Sequence, residues 1–168
     1  MTAAEIILAL VTLQRAGELV VARRNTQRLM ARGAVEISAG HYPLVVAVHA
    51  GWLIALWLFG RDQPVNAIAI AAYLALQALR GWVFWTLGGR WTTRILVIHG
   101  ETLVSAGPYR YLSHPNYAVV TGEIAVLPLV FDLPWLAAIF SVLNAVVLAI
   151  RIRAENRALA VSRETTSS

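Results

Sequence analysis

The stretch "PLVVAVHAGWLIALWLFG", residues 43–60, holds a single titratable side chain, His49. Two further runs resemble it: 65–87, "VNAIAIAAYLALQALRGWVFWTL", and 134–150, "PWLAAIFSVLNAVVLAI". A segment apolar on every face has no side to turn to water, and roughly 20 such residues is the length that spans a bilayer's hydrocarbon. Within lipid every backbone N–H and C=O must be bonded inside the segment, so such runs fold as helices. A shorter run at 115–131, "PNYAVVTGEIAVLPLVF", follows the polar loops, and a weaker one at 3–21 is interrupted by Gln14, Arg15 and Glu18. The expectation is an all-α integral membrane protein of about five transmembrane helices. Only Asp132 and Leu133 separate 115–131 from 134–150, so the last two helices read as a tight hairpin, the first arm of which is short for a full crossing.

Composition agrees. The chain of 168 residues is 58% hydrophobic and 14% charged, against about a quarter charged in soluble domains. It has no cysteine, which excludes disulfides, thiolate nucleophiles and cysteine metal sites. The net charge of +5 is carried by arginine alone. These arginines are scattered between apolar blocks, which suits anionic headgroups and argues against nucleic acid as a partner. The opening "MTAAEIILALVTLQRAGELVV" lacks a basic leading region and a small-residue cleavage site, so it reads as a retained span.

With the N-terminus outside, the inner segments hold Arg23, Arg24, Arg28, Arg32, Arg90, Arg94, Arg110, Arg151, Arg153, Arg157 and Arg163, and the outer loops hold only Arg61. That bias is the positive-inside pattern. Trp82, Trp85 and Trp91 fall at the inner boundary; Trp52, Trp57 and Trp135 lie toward the outer one. The chain reads as one domain, 1–168, with N-terminal spans in 1–87, a second functional half in 88–160 and a disordered tail at 161–168. Two polar segments, 22–42 and 88–114, would be cytoplasmic. Within the second, "RILVIHGETLV" has the β-branched content and central glycine of a short hairpin.

The polar residues concentrate in two places. "GPYRYLSHPNY", 107–117, begins with a Gly-Pro turn signal, and Pro115 suits a first helical turn, placing His114 and Tyr117 at the mouth of the fourth segment. Alone, such a cluster fits an interfacial anchor as well as a ligand site. "RIRAENRAL", 151–159, places Arg151 and Glu155 four apart on one helical face, which alone fits an ion pair in a basic flank. An antiparallel hairpin brings its open ends together, so histidine, tyrosine, arginine and carboxylate would converge.

This pair of motifs, with a hairpin between, resembles the isoprenylcysteine carboxyl methyltransferase-like membrane methyltransferases over about residues 80–160. Their pattern is G-x-Y-x-x-x-R-H-P-x-Y, a hairpin, then R-x-x-x-E-E. Ser113 stands where the family usually has arginine, and Asn156 where it has a second acidic residue. The resemblance implies S-adenosylmethionine as donor, a cofactor-binding loop on the cytoplasmic side, and donor contacts from Glu101, Thr102, Leu103, Val104, Tyr109, His114, Tyr117 and Glu155. Glu101 stands where the family often has histidine. The resemblance also implies a substrate-facing catalytic arginine, Arg151. The chemistry is compatible: tyrosine faces hold a sulfonium by cation–π contact, on the order of 1–2 kcal/mol when desolvated. Arginine aims an anionic nucleophile. His114 also has the chemistry of a general base; the family pattern makes it a donor contact. No strand–G-x-G-x-x-G–helix unit accompanies "LGGRW" at 87–91.

In the N-terminal half, "RRN", "GAVE" and "HYP…H" resemble a bacterial branch of the same family associated with type III polyketide synthases. That resemblance implies O-methylation of an alkylpyrone or phenolic lipid drawn from the bilayer, in a bacterial inner membrane. Glu36, His41, His49 and Glu123 are candidate substrate residues. His49 reads equally as a neutral histidine bonded to a neighbouring helix, and Glu36 and His41 as loop solvation. These four have no helical metal-pair spacing, so no metal is expected. Arg15 and Glu18, three apart, are expected to pair. Two rivals stand beside this reading: carboxyl methylation of a prenylcysteine-like acceptor, and a non-catalytic membrane scaffold or transporter subunit.

Overall fold

The computed structural model describes residues 1–37, 40, 42–98, 101 and 104–166, with side chains described as far as Arg153. Five α-helices carry the chain: α1 Ala3–Ala31, α2 Tyr42–Gly60, α3 Ala67–Leu87, α4 Pro115–Val130 and α5 Pro134–Thr166. Three stretches are long and apolar enough to cross a membrane, Tyr42–Gly60, Ala67–Arg90 and Pro134–Arg153, with α4 a shorter apolar helix. The protein is an integral membrane protein. Its exposed apolar side chains, such as Trp85 at 89% and Ile68 at 84%, are therefore lipid-facing surface.

Each helix end has a local cause. Thr2 starts α1 with a capping box: its hydroxyl accepts from Glu5 N at 3.1 Å and its own N–H donates to Glu5 Oε2 at 2.8 Å. Gly33, at φ +87°, ends α1, and Ala34 N donates to Leu29 O while Gly33 N donates to Met30 O, the Schellman pattern. Asn66 caps α3 by accepting from Ile68 N and Ala69 N. The same pattern that closes α1 closes α4, with Asp132 in the left-handed position at φ +51° and Leu133 N donating to Pro128 O. Pro134 then opens α5, where its missing N–H costs nothing. The expected hairpin is therefore present, and α5 continues well past residue 150, where the sequence placed the end of the span.

The helix ends collect on two faces. On one, Thr2 Oγ1 donates to Arg61 O, Asn66 N donates to Val130 O, and Gly60 packs against Phe131. That gathers the start of α1, the α2–α3 connection and the α4–α5 turn. On the opposite face Asn25 of α1, buried, donates to Gly88 O and Trp91 O at 3.2 and 2.9 Å, so α1 and α3 finish together. The polar loops join here through a two-stranded antiparallel ribbon, β1 Val35–Glu36 and β2 Leu96–Val97, with Val35 opposite Val97. β2, in the "RILVIHGETLV" stretch, pairs with the α1–α2 connection; the turn and second strand of the short hairpin expected there fall largely on 99, 100, 102 and 103, outside the described residues.

Between the faces the core is layered. Leu8, Val11, Trp52, Leu56, Tyr73, Ile124, Leu127, Phe131 and Leu136 pack together toward the first face, and Ala22, Val83, Trp91 and Val119 toward the second. A polar layer separates them. Glu123, 1% exposed, accepts from Arg80 at both oxygens, from Arg15 at 2.8 Å and from Gln77 at 2.7 Å. Glu18 accepts from Arg15 and Arg80, each at 2.9 Å, and from Gln14; Gln14 also donates to Gln77 Oε1. Two guanidiniums and two carboxylates thus cancel in charge across α1, α3 and α4. Gly122 lets α3 and α4 approach this closely: a Cβ there would lie 2.7 Å from Leu76.

Candidate active site

The loop face holds the residues singled out in the sequence. The 3-10 turn Gly107–Arg110 is seated against the end of α3. Gly107 is required there twice over: its φ is +57°, and a Cβ would collide with Thr86 Oγ1 and lie 3.2 Å from Trp82 Nε1. This turn presents Tyr109 to the Val83–Trp91–Val119 cluster. After four intervening residues, Pro115 starts α4 and places Tyr117 in its first turn.

His114 and Tyr117 stack, with ring centroids 5.1 Å apart and planes 16° from parallel. Arg151 reaches them from α5: its Nε donates to Tyr117 Oη at 3.1 Å, and its guanidinium lies 5.6 Å from the Tyr117 ring centre. Arg151 Nη2 donates to the Thr93 carbonyl at 2.8 Å, and Thr93 Oγ1 is 3.2 Å from Tyr42 Oη. The Arg94 guanidinium covers the other side of Tyr42, 4.7 Å from its centre, and pairs with Glu36 at 2.7 Å. That hydrogen bond to Glu36 pushes the Arg94 guanidinium above its already high ordinary value. A continuous polar arc therefore runs Glu36–Arg94–Tyr42–Thr93–Arg151–Tyr117–His114. Beside it Glu101 binds Arg32 and, at 2.8 Å, Arg90.

The structure thus brings His114, Tyr117 and Arg151 into one group, with Glu36 at its margin. Glu101 lies in the same loops, held by arginines from the end of α1 and the end of α3. Val104 lies on the stretch leading to Tyr109. Glu155 is on α5 one turn beyond Arg151; its side chain, with His41, Thr102 and Leu103, lies outside the described residues. His49 sits deeper, its Nδ1 2.8 Å from Val45 O. Glu123 belongs to the buried polar layer, occupied by Arg15, Arg80 and Gln77. Arg15 and Glu18 do pair, and both also engage that layer. Among the described residues no three histidine, aspartate or glutamate side chains could together hold a metal ion.

Sequence reasoning missed Tyr42 and Thr93, which complete the arc, and Gln14, Gln77 and Arg80, which complete the buried layer. The second group left a signal: Gln14 and Glu18 are four apart and Gln77 and Arg80 three apart, each pair on one helical face within otherwise apolar sequence. The first left none, because Thr93 acts chiefly through its carbonyl.

Fold and site together define a small polytopic membrane protein with an aromatic and arginine-bearing group at the open end of its C-terminal hairpin. The family model for the isoprenylcysteine carboxyl methyltransferase (ICMT) family matches residues 67–161, more than half of the chain, and the chain belongs to that family. Members are membrane methyltransferases that use S-adenosylmethionine as donor. The chain is 42% identical over 159 residues to the uncharacterized protein YpbQ of Bacillus subtilis (strain 168), covering 92% of this chain and 95% of that one. It is 22% identical over 147 residues to an uncharacterized Haemophilus influenzae protein, covering 84% and 86%. No solved structure matches the chain.

The residues present fit such a donor. A stacked histidine–tyrosine pair offers π faces to a sulfonium. The surrounding arginines suit the donor's carboxylate, and Glu101 its ammonium or ribose hydroxyls.

Proposed function

We propose that the protein is an S-adenosylmethionine-dependent O-methyltransferase acting on a lipophilic acceptor in the membrane, by preference an alkylpyrone or phenolic polyketide lipid. The observation that carries this reading is the meeting of His114 and Tyr117 with Arg151 across the α4–α5 hairpin, in a chain of this family. In this reading the arginine-rich face is cytoplasmic, so a water-soluble donor enters through the loops while the acceptor arrives between helices from the bilayer.

The donor supplies an electrophilic methyl on a positively charged sulfur. Tyr109, His114, Tyr117 and Glu155, with the 101–104 stretch, bind and orient it. Arg151, fixed by Thr93 O and Tyr117 Oη, aims the acceptor oxygen and offsets its charge before transfer. A reaction in which opposite charges disappear is favoured where water is excluded.

Calorimetry on purified protein tests the donor site: wild type is expected to bind S-adenosylmethionine, and Glu155→Ala to weaken binding at least tenfold. Equal binding by the two proteins removes the assigned site. The family's own name favours a second acceptor, an isoprenylcysteine-like carboxylate. Membranes incubated with methyl-labelled donor and either acceptor separate the two readings by which product carries label. A chain acting only as a scaffold or transporter subunit would bind no donor at all.

A further inference from the structure

His49 is the one titratable side chain of α2's apolar run that the mechanism above does not use. It lies seven residues beyond Tyr42, two helical turns deeper on the same face. Tyr42 is tied through Thr93 to Arg151, so His49 stands directly beneath the polar arc. The imidazole is half-buried on α2, inside the Tyr42–Thr93–Arg151 link.

Its hydrogen bonding fixes which nitrogen can react. Nδ1 is 2.8 Å from the Val45 carbonyl, and a carbonyl only accepts, so Nδ1 carries the proton. In the neutral ring Nε2 then bears a lone pair. Among the described residues Nε2 has no partner. A half-buried acceptor left open on this face is suited to a hydroxyl donor. It is not suited to a carboxylate, which would bring a second set of lone pairs.

We propose that His49 is the general base of the reaction, and that the acceptor is accordingly a weakly acidic hydroxyl, a phenol or enol, rather than a carboxylate. The inference rests on the methyltransferase reading above. A carboxylate is already ionised at neutral pH and needs no base, whereas a phenol, with a pKa of about 10, is not. The acceptor's O–H bond breaks and its proton passes to His49 Nε2. The freed oxygen pair forms the O–CH3 bond as the S–CH3 bond breaks, its electrons returning to sulfur as a neutral thioether. The imidazolium then releases its proton to water.

The test uses the full chain in lipid nanodiscs, S-adenosylmethionine and a series of alkylphenols whose ring substituents lower the hydroxyl pKa from about 10 to about 7. On the least acidic phenol, His49→Gln is expected to lose about 10²–10⁴-fold in kcat, the usual worth of a general base. The loss should shrink as the phenol is acidified, while donor affinity by calorimetry stays within about threefold. A second readout needs no donor: the absorbance of a bound alkyl nitrophenol reports its ionisation, which His49→Gln should suppress. Equal loss across the series overturns the proposal. Should His49→Gln fail to fold, wild type alone decides. On the least acidic phenol a base makes kcat level off with pH well below the phenol's own pKa of about 10, and a rate that keeps rising tenfold per pH unit up to that pKa overturns the role. If wild type binds no donor, the methyltransferase reading falls and this inference with it. If donor binds but His49→Gln turns over phenols normally, only the role of His49 falls.

Discussion

Glu123 accepts hydrogen bonds from three side chains on two other helices while 1% exposed. A carboxylate so placed is tolerated because Arg15 and Arg80 neutralise it and Gln77 satisfies a remaining lone pair. Removing one partner of such a group leaves a buried charge uncompensated, which costs about 3–5 kcal/mol, whereas replacing both with apolar side chains is often near neutral. Glu123→Ala is therefore expected to destabilise the protein by that amount in denaturant titration. Arg80→Leu combined with Glu123→Leu should recover most of the loss, since Arg15 keeps Glu18. A double variant no more stable than Glu123→Ala would show that the layer acts through more than paired charge. Sequence showed Arg15 and Glu18 as a local pair, because their spacing of three lies within one helix. It could not show Arg80 and Glu123 as their partners, because that pairing depends on how α3 and α4 are rotated.

At the scale of elements, the hairpin was legible because its causes are local: an apolar run, a short polar break, and Pro134 at a helix start. The same locality makes its turn testable. Asp132 adopts the left-handed conformation at φ +51°, which costs an ordinary residue roughly 1–2 kcal/mol and glycine almost nothing. Asp132→Val is expected to lower stability by about that amount, while Asp132→Gly stays within about 1 kcal/mol of wild type because its greater unfolded-state freedom offsets the relieved strain. Thermal unfolding followed by circular dichroism reads both. A Val variant as stable as the Gly variant would mean that the turn is not held by this backbone conformation. The β1–β2 ribbon was not legible, because each strand is two residues long and its partner lies about sixty residues away. "RILVIHGETLV" carries strand propensity but no information on which chain segment completes the pair. For the candidate site the division is similar. His114, Tyr117 and Arg151 were legible through their spacing about the hairpin. The Tyr42–Thr93 link was not, because it depends on where the 88–114 loop crosses the start of α2.

At the scale of the molecule, the two gathered faces and the arginine distribution form one argument. Hydrogen bonds place the α1 start, the α2–α3 connection and the α4–α5 turn together, and the only arginine among those connections is Arg61. The arginines of 23–32, 90–110 and 151–163, on the last turns of α1 and α5 and in the loops, lie toward the opposite face. In the proposed orientation, a bilayer with a negative cytoplasmic surface would hold that arginine-rich face inside. Helix lengths refine the picture. At 1.5 Å per residue, α1 with 29 residues is about 44 Å long and α4 with 16 about 24 Å. Against a hydrocarbon core of about 30 Å, α1 is longer and α4 shorter. The natural absence of cysteine makes orientation measurable with single-cysteine variants and a membrane-impermeant maleimide on intact spheroplasts. Gln63→Cys, on the α2–α3 connection, should label from outside. Ser113→Cys, exposed beside His114, should label only after the membrane is opened. The reverse pattern would put the His114–Tyr117–Arg151 group on the side without S-adenosylmethionine, and no arrangement of its residues would then allow the proposed methyl transfer.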